Sequence, residues 1–239
     1  MGYAGLATLL AALGGLMGMG LGGWAGYCLP EPKEKTMACI LNGTGGLMLA
    51  VVCFELLPEA YAFSWPYAML GLVLGMTALL AADMAMACRQ RGNAMLHTGR
   101  MLLLGILLHS LPEGIATGAA FANDLRLGLM MTVVIMLHDL PEGMAMALNL
   151  RMGGARGAKV LLAICLTCLP TALGAWTGVS VAGLSPELDA LGLGLAGGAM
   201  LTVVVFELLP RAGALSEGRV QTLMLVSGLV LGSLMTMHM

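Results

Sequence analysis

Residues 108–119 read LHSLPEGIATGA and residues 137–148 read LHDLPEGMAMAL, and this matched pair lies at the centre of the predicted fold. The two stretches are identical at 7 of 12 positions. In each, a histidine precedes a glutamate by four residues, which places both side chains on one face of a helix. A proline between them removes a backbone donor and interrupts the helix. The pairs are His109 with Glu113 and His138 with Glu142.

The composition predicts that these motifs lie in a membrane. Hydrophobic residues make up 59% of the chain, charged residues 10%, and the mean hydropathy is +0.92. A net charge of -2 argues against a nucleic-acid surface. A span needs about 20 mostly apolar residues, and the sequence divides into eight such segments. We place them at roughly 3–29, 37–62, 66–87, 98–122, 126–150, 158–183, 188–212 and 218–238, as one transmembrane domain over 1–239.

The basic residues predict the orientation of these segments. Ten of the eleven Lys and Arg residues fall in the links between segments 1 and 2, 3 and 4, 5 and 6, and 7 and 8. The opposite side carries Arg126 alone. Because positive charge is retained in the cytoplasm, both termini are expected outside it, in a multi-pass protein of the cell membrane.

A second repeat predicts an inverted arrangement. Residues 45–60, GGLMLAVVCFELLPEA, match 197–212, GGAMLTVVVFELLPRA, at 12 of 16 positions. These stretches lie on segments 2 and 7, which run in opposite directions, as do segments 4 and 5. We therefore expect segments 1 to 3 to mirror 6 to 8 around a central hairpin, a 3+2+3 all-α arrangement typical of alternating access to a midplane site.

The chemistry of the central motifs indicates a metal site. At ~1.5 Å per residue the His/Glu pairs lie roughly 15–25 Å in from the outer link at 123–125, near the bilayer midplane. An ionised residue there costs on the order of 2.5–3.5 kcal/mol, so something must compensate. Imidazole nitrogen with carboxylate oxygen is a ligand set of zinc and its first-row neighbours. Ser110 and Asp139 are placed to join the glutamates around a second ion, and metal binding should release protons.

These residues together resemble the ZIP family of zinc and iron transporters. HSLPEG and HDLPEG on segments 4 and 5, the eight segments with outside termini, and FELLPEA on segment 2 carry the resemblance over nearly the whole chain. It implies metal uptake toward the cytoplasm, a binuclear centre, a homodimer, and segments 1, 4, 5 and 6 moving against 2, 3, 7 and 8. By position it assigns His109, Glu113, His138 and Glu142 to a first site, and Ser110 and Asp139, with the two glutamates, to a second.

The chain departs from the family pattern at three positions. Ser110 stands where Asn is common, Leu169 where many members carry a carboxylate, and Phe206 where a histidine often precedes the glutamate of segment 7. Leu169 removes a ligand. These departures therefore concern mainly the second site and the exit route.

Several other polar residues have two interpretations. Glu55 near the outer face would collect cations and Glu207 near the inner face would release them, or both lie on a solvated surface. Cys165 and Cys168 are favoured as small residues at a helix interface over a thiolate site, and His97 is expected in solvent. A hydrogen-bonded network that only holds helices together is the simpler alternative for the His/Glu pairs.

Three functions compete at this point. Transport of Zn²⁺, or of Fe²⁺, Mn²⁺ or Cd²⁺, is favoured over an intramembrane metalloenzyme, because the chain lacks an H-E-x-x-H motif and inverted repeats suit alternation. No catalytic residue or bound cofactor is assigned. A metal sensor that does not transport is the third function. The ligands leave the metal open, since these ions accept overlapping donors.

Overall fold

The computed structural model describes residues 3–89, 93–181 and 185–236, and within those ranges it is entirely helical, without strands. The helices are α1 Tyr3–Cys28, α2 Glu34–Val51, α3 Leu57–Arg89, α4 Ala94–Asn123, α5 Leu125–Met152, α6 Gly157–Val181, α7 Pro186–Thr202, α8 Leu209–Leu215 and α9 Arg219–Thr236. A π-helical turn, Val52–Leu56, joins α2 to α3, and another, Val203–Leu208, joins α7 to α8. The predicted segment ends at 183 and 238, and Arg91 in the basic count, lie outside the described residues.

Seven helical stretches of the described chain are long and apolar enough to cross a membrane. One of them, Glu34–Met86, runs for 53 residues. Its helical geometry is interrupted at Ser64, whose φ of -166° and ψ of 107° are extended, two residues before Pro66. This interruption lies between the predicted end of segment 2 at residue 62 and the predicted start of segment 3 at residue 66.

The two π-helical turns occupy the matching FELLP stretches. Pro58 and Pro210 cannot donate a backbone hydrogen bond, so the carbonyl four residues earlier in each stretch loses its usual partner. The helix widens by one residue there, and the Leu57 and Leu209 amides donate to the Val52 and Val204 carbonyls, five residues back. Each turn contains one glutamate, Glu55 or Glu207.

The helices pack in two groups. In the first group α1 packs along α5 and α6, and α4 packs along α5 and α6. In the second α3 packs along α7, and α2 packs along α9 and α8. The contact between α4 and α7 is the largest between the groups. The segments that the resemblance expects to move together are thus packed together.

Within each group, helices approach to backbone contact at glycines. A Cβ on Gly18, Gly22 or Gly26 of α1 would collide with the carbonyls of Met136, Leu140 and Met144 on α5 in turn. Gly114 and Gly118 of α4 meet α6 in the same way. Small residues at four-residue spacing allow such close packing in lipid, where van der Waals contact replaces the hydrophobic effect. The glycine-rich composition therefore builds the groups themselves.

We expect Gly22→Val to destabilise the protein, and Gly20→Val to serve as its matched control. A Cβ at Gly22 has nowhere to go because the Leu140 backbone blocks it, whereas nothing lies within 4 Å of a Cβ at Gly20. Overpacking of this kind costs about 1–3 kcal/mol. Thermal unfolding in detergent should show a lower midpoint for Gly22→Val only, and equal midpoints for the two variants would contradict the packing described.

Candidate functional site

The six residues predicted for the metal site are brought together between α4 and α5, and all are buried. His109, Ser110 and Glu113 come from α4, and His138, Asp139 and Glu142 come from α5. None is more than 5% exposed, and His109 and Glu142 are fully inaccessible. Each pair is one helical turn apart, so facing helices present two imidazoles and three carboxylates to one another.

The imidazoles and carboxylates interleave across the two helices. His109 Nε2 lies 3.4 Å from Glu142 Oε2 and 3.9 Å from Glu113 Oε2. His138 Nε2 lies 3.3 Å from Glu113 Oε1 and 3.7 Å from Asp139 Oδ1. Each histidine thus contacts the glutamate of the other helix, and each helix contributes to both halves of the cluster.

These contacts are close but are not hydrogen bonds. Among the described residues, both ring nitrogens of His109 and of His138, both carboxylate oxygens of Glu142, and Oε1 of Glu113 are buried without a hydrogen-bond partner. Buried polar groups are normally paired, and leaving one unpaired costs about 1–3 kcal/mol or more. A network that only holds helices together would satisfy these atoms. Their convergence without pairing suits a cation that takes their lone pairs.

The donor set fits a first-row divalent ion. One ligand atom each from Glu113, His138 and Asp139 lie within 4.8 Å of one another, a spacing that could hold a metal ion. Zn²⁺ binds imidazole nitrogen and carboxylate oxygen at about 2.0–2.2 Å, and these three residues supply both kinds of donor.

Local backbone chemistry sets the position of Ser110. Its hydroxyl donates to the Ile106 carbonyl at 2.6 Å, so its proton is taken by its own helix and its oxygen lone pairs remain free to accept or to coordinate. Thr117 likewise donates to the Glu113 carbonyl, at 2.8 Å. The Ile106 carbonyl lies before Pro112 in the chain, and the Glu113 carbonyl lies after it.

Helix α6 contributes hydroxyls rather than a carboxylate. The Leu169 side chain is 58% exposed, whereas Thr167 and Thr171 are buried. A Cβ on Gly15 of α1 would lie 3.6 Å from Thr171 Oγ1 and 3.8 Å from Asp139 Oδ2, so α1, α5 and α6 meet beside the cluster. Cys165 is exposed and Cys168 half-buried, so neither is enclosed with the six predicted ligands.

A cavity of about 480 Å³ lies beside the cluster, between the two helix groups. From α4 it is lined by residues from Pro112, next to Glu113, to Asn123 at the end of the helix. From the second group three carboxylates line it, Glu55, Glu59 and Asp189. Glu55, predicted at one end of the route, thus faces a space that reaches the neighbourhood of the site.

Comparison with known proteins identifies the family. The family model described as ZIP Zinc transporter matches residues 85–239, more than half of the chain and including both HxLPEG motifs. The chain belongs to the ZIP zinc transporter family. It is a multi-pass membrane protein, as the resemblance of its motifs implied.

Relatives of this ZIP chain are bacterial proteins named as zinc transporters. Zinc transporter GufA of Myxococcus xanthus is 35% identical over 149 residues, which cover 62% of the chain and 59% of that protein. Zinc transporter ZupT of Enterobacter sp. (strain 638) is 30% identical over 140 residues, covering 52% and 50%. Zinc transporter ZupT of Escherichia coli O127:H6 is 28% identical over 139 residues, with the same coverage. The aligned part of this chain spans between half and three fifths of these relatives' length.

A second cluster lies at the end of the molecule that carries the basic links. It consists of Asp83 of α3, His97 of α4 and Glu207 of the second π-helical turn. His97 Nε2 lies 2.7 Å from Asp83 Oδ1 and 3.3 Å from Glu207 Oε1. His97, expected in solvent, has a side chain that is 21% exposed and whose ring contacts both carboxylates. Glu207 is 9% exposed, which argues against the solvated-surface interpretation of that residue.

This second cluster was missed because its residues come from three separate segments, and Asp83 and His97 carry no motif. The sequence does contain one signal. Glu207 matches Glu55 in the repeat, so a role in metal binding for one of these carboxylates favours such a role for the other. The partner of Glu207 depends on tertiary packing, which the sequence pattern does not show.

Removing one imidazole should weaken metal binding. We expect His109→Ala and His138→Ala each to raise the Kd of the tightest Zn²⁺ site at least about tenfold, since changes even beyond the ligands cost 10–100-fold. Calorimetric titration of purified protein in detergent measures this. Asn149→Ala removes another buried polar side chain from α5 and should leave the Kd unchanged. Unaltered affinity in both histidine variants would place the metal elsewhere.

Proposed function

We propose that this chain transports a divalent transition-metal ion, Zn²⁺ first among them, toward the cytoplasm through the site between α4 and α5. The observation that carries the proposal is the set of buried imidazole and carboxylate atoms that converge without hydrogen bonds inside helices long enough to cross a membrane. The names of the bacterial relatives, zinc transporters, favour the same substrate.

The proposed topology has eight spans, with both termini outside the cytoplasm. A helix of 53 residues would be roughly 80 Å long at ~1.5 Å per residue, against a hydrocarbon core of about 30 Å. Division of Glu34–Met86 at Ser64 gives two spans of ordinary length. The basic links then fall on one side, which supports the orientation.

The proposed inverted repeat has support from how the helices pair. The contact of α1 with α5 corresponds to that of α6 with α4, and the contact of α3 with α7 corresponds to that of α9 with α2. Exchange of segments 1–3 for 6–8, with α4 and α5 exchanged, reproduces these pairings. A pseudo-symmetry of this kind gives two related states that face opposite sides.

The proposed route begins at the cavity beside Glu55 and ends near Glu207. Carboxylates at the cavity attract a cation, and Glu113 with His138 receive it. After the helix groups shift, Glu207 offers the ion a carboxylate toward the other side. The two glutamates thus serve matched roles, because they occupy equivalent π-helical turns.

The finer predictions concern stoichiometry. A first site of His109, Glu113, His138 and Glu142 is proposed, with a second ion held by both glutamates, Ser110 and Asp139. Leu169 lies on the surface of α6 and has no oxygen to offer the second ion. Thr171, buried beside Asp139, is the residue of that helix with a hydroxyl oxygen near the site. A homodimer stays a prediction from the resemblance.

A zinc sensor without transport is the second candidate, and the missing carboxylate at Leu169 favours it. An incomplete second site would bind one ion without the means to pass it on. Binding by purified protein with no flux would identify a sensor, and turnover of a peptide or lipid with zinc would identify an enzyme.

Glu113→Ala with Glu142→Ala should abolish metal flux. Both carboxylates are lost from the site, so the two histidines alone must compensate a dication in lipid. Uptake of labelled zinc into proteoliposomes measures the effect, with flux expected to fall to the level of empty vesicles.

The matched control is Glu31→Ala with Glu34→Ala, two exposed glutamates outside the site. That variant should transport at the unaltered rate. Full transport by the Glu113 and Glu142 variant would overturn the proposed route.

A further inference from the structure

The interface between the two helix groups differs at its two ends. At the end that carries the basic links, α4 packs against the second group. A Cβ added to Gly105 would collide with the Val203 side chain and would lie 3.9 Å from Leu79 Cδ2. At the other end, the cavity separates Pro112–Asn123 from Glu55, Glu59 and Leu188. The two groups are therefore in contact at one end of their interface and separated by the cavity at the other.

His97 makes a polar contact between the two groups at the packed end. Its ring Nε2 is within 3.3 Å of two carboxylates, one on α3 and one in the π-helical turn after α7, both in the opposite group. A carboxylate accepts, so the imidazole donates. The side chains of Asp83 and Glu207 are 32% and 10% exposed, so separation from the imidazole would leave two carboxylates facing each other, of which Glu207 has little access to water.

We propose that the structure is the outward-facing state and that His97, held by Asp83 and Glu207, is a clasp that keeps the cytoplasmic end shut. This inference rests on the proposed orientation and on two independent observations, the cavity at one end and the packed polar contact at the other. To open inward, α4 must withdraw His97 from both carboxylates. The clasp therefore sets how often the site faces the cytoplasm.

The clasp is tested by labelling rather than by flux. In a background with the six cysteines replaced, Ala119→Cys reports on the outer cavity and Val203→Cys on the packed end. A membrane-impermeant maleimide is applied to right-side-out vesicles for the first reporter and to inside-out vesicles for the second. No metal is present in either reaction.

We expect His97→Ala to slow labelling at Ala119→Cys and to speed labelling at Val203→Cys, each at least about threefold. A hydrogen bond to a charged group shifts a two-state equilibrium by about tenfold or more, which exceeds that margin. His97→Gln, whose amide N–H can still donate to a carboxylate from a side chain of different shape, should fall between. The matched control is Arg100→Ala, which removes a cation three residues along α4 and leaves the clasp in place; it should match the unaltered chain.

Unchanged labelling at both reporters in His97→Ala would overturn the clasp. If both reporters instead change in parallel, His97→Ala has misfolded and His97→Gln decides. Unchanged labelling at both reporters in His97→Gln, with thermal unfolding at the midpoint of the unaltered chain, would then overturn the clasp. The proposed transport fails separately: if Glu113→Ala with Glu142→Ala still carries zinc while the His97 variants shift labelling, the clasp stands and the route falls.

Discussion

Two imidazoles and three carboxylates are buried between helices that cross a membrane. The rest of the structure holds these side chains in place without hydrogen bonds between them. Charged groups in lipid are costly on their own, and unpaired polar atoms add to that cost. A divalent ion relieves both at once, because it neutralises the carboxylates and takes the lone pairs of the rings. The same atoms that are costly to bury without an ion are therefore the ones we propose as its ligands.

Holding the ligands in place requires closely packed helices. Glycines bring α1 to α5 and α4 to α6 at backbone distance, so the two ligand helices belong to one tightly packed group. The second group meets α4 mainly through α7 and the neighbouring π-helical turn, across a looser interface that contains the cavity. A site that becomes accessible from alternate sides of the membrane while it keeps its ligands needs tight packing within each group. It also needs loose packing between the groups.

Much of the site was predictable because its geometry is local. Four-residue spacing puts His109 with Glu113 and His138 with Glu142 on one face each, and the repetition of the motif implies that the faces meet. The helical fold followed from composition in the same way. The π-helical turns were not predicted, although Pro58 and Pro210 provide their physical cause. The contact of His97 with Asp83 and Glu207 could not be predicted, because it depends on how two packed groups lie against each other.

X-ray absorption spectroscopy of the protein loaded with one equivalent of Zn²⁺ shows whether His109 and His138 hold one metal ion together, as we propose. We expect two imidazoles among nitrogen and oxygen ligands at about 2.0–2.2 Å, and no sulfur. A single imidazole would rule out the shared site, because Glu113, His138 and Asp139 on the one hand and Asp83, His97 and Glu207 on the other each offer only one. A ligand at about 2.3 Å would indicate a thiolate such as that of Cys165 or Cys168, and would rule it out too.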